Sequence, residues 1–231
     1  MSQTTEVRVA APPAAPYARL LRIGAGVCLI LAALTNGLSQ YVGGLMTPDL
    51  SFTEQIAWGV DHPVAHRTEQ TLLVVSSLVM PLGLLGIAQV TRWHRPRLTL
   101  VATPLVLWGM WGFHNVLSMG YVSGTVAPRA QSVADASRLN DSFVADPGVV
   151  GLALVPHLVG SFLGVLLLSV AAWRSGVFPA VACAAIVAFL VWDFLLPSRG
   201  LLEPHLLLLV GWTWLGVALL RMPQRTWAGQ G

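Results

Sequence analysis

Thr71-Leu-Leu-Val-Val-Ser-Ser-Leu-Val-Met80-Pro-Leu-Gly-Leu-Leu-Gly-Ile-Ala-Gln-Val90 runs directly into Thr91-Arg92-Trp93-His94-Arg95-Pro96-Arg97. The first segment carries no ionisable group over a length that crosses a bilayer, where roughly 20 apolar residues suffice. The second is basic, aromatic and turn-forming. An apolar run ending in an arginine-rich loop is the pattern of a membrane helix leaving on the cytoplasmic side. Five further runs repeat the apolar theme, so the predicted spans are Ile23–Val42, Thr71–Val90, Leu98–Tyr121, Val149–Trp173, Val177–Leu196 and Leu201–Leu220.

Composition agrees. The chain has 231 residues, 55% hydrophobic and 10% charged. A soluble domain carries about 25% charged residues. The expectation is an all-α, polytopic membrane protein: a six-helix bundle over residues 19–222, a disordered cytoplasmic tail over 1–18 and a second tail over 223–231. It is expected as a multi-pass protein of a bacterial cell membrane. The apolar run after residue 18 is longer than the core of a cleavable signal.

The net charge of +3 comes from Arg alone, because the chain has no Lys. That excludes Schiff-base chemistry. The Arg residues fall in short loops and not on one basic face, which argues against nucleic acid as a partner. Cys28 and Cys183 sit inside apolar runs and are expected as free thiols. With the N-terminus inside, nine Arg lie on the cytoplasmic side and four outside: Arg67, Arg129, Arg138 and Arg199. Both termini are then cytoplasmic. Every acid except Glu6 and every His except His94 falls toward the outer face. Two long connections lie there as well. Ser51-Phe52-Thr53-Glu54 reads as a capping box opening a short interfacial helix through Trp58. Residues 129–145 read as an amphipathic helix over the outer mouth, either a lid or an ordinary solvated helix. No internal repeat is evident.

Charge inside a bilayer is costly, so acids and imidazoles at matching depth on several spans mark a candidate site. Glu69, His114, His157 and Asp193 are the candidate catalytic residues. Trp108, Trp111, Asn115, Trp212, Glu203 and His205 are the candidate substrate-binding residues. Each has a plainer reading beside it. His114 can be satisfied by a neighbouring helix. Pro156 can open the fourth helix and aim His157 at a cavity, since it removes a backbone hydrogen bond. Asp193 can pair with Arg199 in place of catalysis. His62, His66 and Glu69 have spacings that a metal ion can use, without the two-histidine motif that would make the signal strong.

Acids beside aromatic walls in an apolar cavity suit protonation of an alkene or epoxide, because desolvation raises a carboxyl pKa and aromatic faces stabilise the cation. On Glu69 and Asp193, the chain resembles the small integral-membrane terpene cyclases of meroterpenoid and indole-sesquiterpenoid pathways. The resemblance implies a metal-free, cofactor-free isomerase or lyase of secondary metabolism. It would act on a lipophilic isoprenoid reached through membrane lipids, with those two residues as the acids. The histidines are additional to what the resemblance calls for. Three alternatives stand beside it: a His-ligated metal protein or a haem or quinone protein using His114 and His157, a small proton or ion transporter, and a non-enzymatic membrane partner.

Overall fold

The computed structural model describes residues 17–44, 52–126, 132–196 and 204–230. Among these the chain is all-helical, with no strand. The elements are α1 (Ala18–Gly44), α2 (Phe52–Asp61), α3 (Pro63–His94), α4 (Pro96–Val126), α5 (Val133–Val144), α6 (Pro147–Ser175), α7 (Ala180–Leu195), α8 (His205–Arg221) and α9 (Gln224–Trp227). Residues 1–16, including Glu6, and Glu203 with Arg199 lie outside the described residues.

Among the described residues, four helices are long and apolar enough to cross a membrane: Ala18–Gln40, Pro63–His94, Pro96–Tyr121 and Pro147–Ser175. That is the profile of a multi-pass membrane protein. α7 and α8 are apolar but shorter, at 16 and 17 residues, or about 24–26 Å at 1.5 Å per residue. α3 starts at Pro63, two turns before the span read from the sequence, with the proline in the first turn, where its missing N–H costs nothing.

The long helices follow one another around a ring. α1 packs on α3, α3 on α4, α4 on α6, α6 on α7, α7 on α8, and α8 closes against α1. The middle is filled by Leu29, Met80, Leu84, Leu168, Ile186, Leu215 and Leu219, each under 3% exposed. Lipid tails are as apolar as leucine, so burial from water does not drive such helices together. Close packing does, and small residues permit it. A Cβ on Gly109 of α4 would lie 2.1 Å from the Ser161 backbone nitrogen of α6. At the closure, a Cβ on Gly26 of α1 would lie 2.9 Å from the Gly216 carbonyl oxygen of α8. Arg22 secures the same seam by donating through Nη1 to the carbonyls of Leu219 and Leu220, at 2.8 and 2.5 Å.

α2 and α5 pack on each other and touch α4 at one end of the ring. α5 begins with a reciprocal cap: the Ser132 hydroxyl donates to Asp135 and accepts the Asp135 backbone N–H. That hydroxyl first, and the Arg138 guanidinium second, hold the Asp135 carboxyl below its usual range. At the other end, residues 224–230 fold back on the ring. Trp227 is buried, its carbonyl accepts from Gln89 at 3.5 Å, and Gly229 rests on Trp93.

Candidate functional site

The site begins with a proline. Pro156 has no N–H, so in an α-helix the Leu152 carbonyl four residues earlier would go unpaired. The chain responds in two ways. α6 widens into π-helical turns over Val150–Leu154 and Pro156–Ser161. The Leu152 carbonyl also accepts from Asn115 Nδ2 of α4 at 3.2 Å. π-turns shift every later side chain around the helix and recur at functional sites. The start of α6 is firm, because Asp146 accepts the N–H groups of Gly148 and Val149 at 2.8 and 3.1 Å.

His157 is the residue these turns carry. Its ring stacks on Phe113 of α4 at 5.1 Å between centroids and 25° between planes. Phe194 of α7 lies 6.1 Å away, and Phe162 completes the group at 5.4 Å from Phe194. Nδ1 is 3.3 Å from the buried Ser161 hydroxyl. An imidazole therefore sits where three helices meet, with aromatic rings as its neighbours. The sequence reading missed Phe113, Phe162 and Phe194. The available signal was their position: Phe113 precedes His114, and Phe194 follows Asp193.

His114 points elsewhere. Its Nδ1 is 2.8 Å from Ser77 Oγ of α3, and Nε2 is 3.5 Å from Ser118 Oγ. Ser77 has one hydroxyl proton and gives it to the Val74 carbonyl at 2.7 Å. It must therefore accept from His114, which assigns the Nδ1–H tautomer from the network. His114 thus belongs to the α3–α4 seam and His157 to the α4–α6–α7 junction. The two imidazoles have different partners.

The remaining candidates lie on α2, α3, α4, α7 and α8. Glu69 contacts His66 at 3.8 Å, part-exposed near the start of α3. Trp58 of α2 stacks on His62 at 5.0 Å and lies edge-on to His66 at 6.5 Å. Asp193 is on the exposed side of α7, next to Phe194. His205 opens α8 with its ring 5.1 Å from that of Phe189. Trp212 is buried in the ring, whereas Trp108 and Trp111 are 38% and 52% exposed. The last two share an outward stripe of α4 with Val101, so they face away from His157. The open groove at the start of α3 is lined by Pro63, Arg67, Thr68 and Thr71, away from the His157 rings. Among the described residues no three His, Cys, Asp or Glu side chains gather as a metal ion would need. No protein-family model matches the chain, and neither characterised proteins nor solved structures yield a match.

Proposed function

We propose that the chain crosses the membrane six times with both termini cytoplasmic, and that it is an enzyme isomerising or cyclising a lipophilic isoprenoid without a metal. The observation that carries this reading is His157, turned by π-helical turns into a group of three phenylalanines. Aromatic faces stabilise a neighbouring cation through their quadrupoles. A carbocation intermediate needs such walls, an acid to form it and a base to end it. Asp193, on the exposed side of α7 one residue before Phe194, is the acid in this scheme, which requires its carboxyl to reach the substrate past the edge of the Phe194 ring. It gives its proton to one alkene carbon and leaves the cation on the other. His157 removes a proton from the adjoining carbon as the new double bond forms. That proton returns to Asp193, so the substrate changes its bonding and not its composition. Glu69, close to His66, is the second candidate acid. Trp212 and His205 lie on the neighbouring α8 as candidates to shape the substrate's outer end.

The test incubates the purified chain with linear polyprenyl alcohols and their epoxides in deuterated water, with products read by mass spectrometry. Turnover should place solvent deuterium in the product. Asp193→Asn should lower it by about 10²–10⁴-fold, the usual worth of a general acid, and His157→Gln should do the same while both variants fold. Full turnover in Asp193→Asn and Glu69→Gln alike, or activity that follows a bound metal, would sink the reading.

A further inference from the structure

The end of the ring opposite α2 and α5 has an unusual charge balance. Eight arginines lie there, on the first turns of α1, the α3–α4 turn, the ends of α6 and α8, and α9. Among the described residues not one Asp or Glu lies at that end. Arg22 is occupied by the α8 carbonyls, and the other seven are exposed. Like charges held together without carboxylates repel one another until an anion arrives from outside.

One corner is built to receive it. Arg95, between α3 and α4, donates through Nε to the Arg174 carbonyl at the end of α6, at 2.8 Å. This bond fixes the α3–α4 turn against α6. The two Nη groups of Arg95 take no part in it. Arg174, whose carbonyl takes this bond, and Arg97, two residues after Arg95, are both exposed. Arg97 is also in the first turn of α4, where backbone N–H groups lack helical acceptors and favour an anion. Just inside, the surface becomes apolar: Trp173, Leu100 and Val101 are 59%, 76% and 53% exposed. Guanidinium forks therefore border a surface suited to acyl chains, and the exposed Trp173 indole, next to Arg174 in sequence, is a side chain suited to headgroup level.

We propose that the Arg95–Arg97–Arg174 corner binds the phosphate headgroup of an anionic phospholipid in the leaflet on that side. The proposal rests on the membrane-spanning reading and not on the chemistry at His157. Arginine suits the role because its planar fork binds phosphate oxygens in pairs. The lipid's negative charge replaces the carboxylates missing from this end, and its chains cover the apolar surface beside α4 and α6.

Native mass spectrometry of the full chain in detergent tests this, with phosphatidylglycerol, phosphatidylcholine and inorganic phosphate as the three probes. The wild type should bind phosphatidylglycerol more tightly than phosphatidylcholine. Arg97→Gln and Arg174→Gln should each weaken phosphatidylglycerol about fivefold, since an arginine near an anionic surface is worth roughly 1 kcal/mol. Phosphatidylcholine binding should not change, and Arg138→Gln at the opposite end should change neither. Unaltered phosphatidylglycerol affinity in both variants overturns the proposal. So does inorganic phosphate binding as tightly as the lipid, which would make this a site for a free anion. Alkaline carbonate extraction of membranes separates the premises. A chain washed out by carbonate defeats the membrane-spanning reading. A chain that stays but shows no lipid preference defeats only the lipid site.

Discussion

A single hydroxyl decides what His114 does. Ser77 accepts from its Nδ1 at 2.8 Å while donating to the Val74 carbonyl, so both partners are used. Ser77→Ala removes the acceptor and leaves the His114 N–H without its partner. Hydrogen bonds between membrane helices are modest, averaging about 0.6 kcal/mol and reaching about 1.7. The variant should lose about 1 kcal/mol in detergent unfolding, and His114→Ala in that background should cost less than it does in the wild type. Equal costs in both backgrounds would show that the bond is not coupled. Phe113, one residue earlier, meets His157 instead. Neighbours on a helix are separated by about 100°, so two adjacent side chains serve different interfaces. That is why Phe113 meets α6 while His114, one residue on, meets α3.

At the scale of the element, α6 shows how one missing N–H propagates. Pro156 frees the Leu152 carbonyl, the turn widens, and Asn115 bridges from α4. Restoring the N–H with Pro156→Ala should let the turn relax toward α-geometry and satisfy Leu152 internally. Asn115→Ala should then cost less in the Pro156→Ala background than alone, as a double-mutant cycle in thermal unfolding would report. The seam beside it is tighter still. Gly109→Ala should destabilise by about 1–3 kcal/mol, the usual cost of overpacking, because its Cβ would meet backbone. Gly24→Ala on α1 meets nothing within 4 Å and should be neutral or slightly stabilising by the same assay.

The helices themselves were legible: apolar length gave α1, α3, α4 and α6, and helical periodicity over 129–145 gave α5. The proline at 156 was legible as an opening. Its consequence was not, because a π-turn changes the phase of everything after it, and a 3.6-residue pattern does not record that. Trp108 and Trp111 were placed by depth, whereas their direction depends on which stripe of α4 faces the ring. Phe113, Phe162 and Phe194 come from three helices, and only the order of packing around the ring brings them to His157.

For the whole molecule, orientation rests on arginine. Nine of thirteen fall on one side of the proposed spans, so the α3–α4 turn and α5 should lie across the bilayer from each other. In a chain with Cys28 and Cys183 replaced by Ala, Arg138→Cys should react with an impermeant maleimide in intact cells. Arg97→Cys should react only after permeabilisation. Labelling of both from the same side would sink the six-span arrangement.

The closure of the ring joins α1 to α8. Arg22 grips carbonyls 197 and 198 positions away, so the α1–α8 seam waits for nearly the whole chain to be synthesised. At about 5–20 residues per second, α1 stands in the membrane for roughly 10–40 s with its Gly26 face uncovered. During that interval α3, once it is made, is the neighbour that can hold it. A ribosome stalled before residue 205 therefore leaves an open arc of helices, with a small-residue face exposed to any other span in the same membrane.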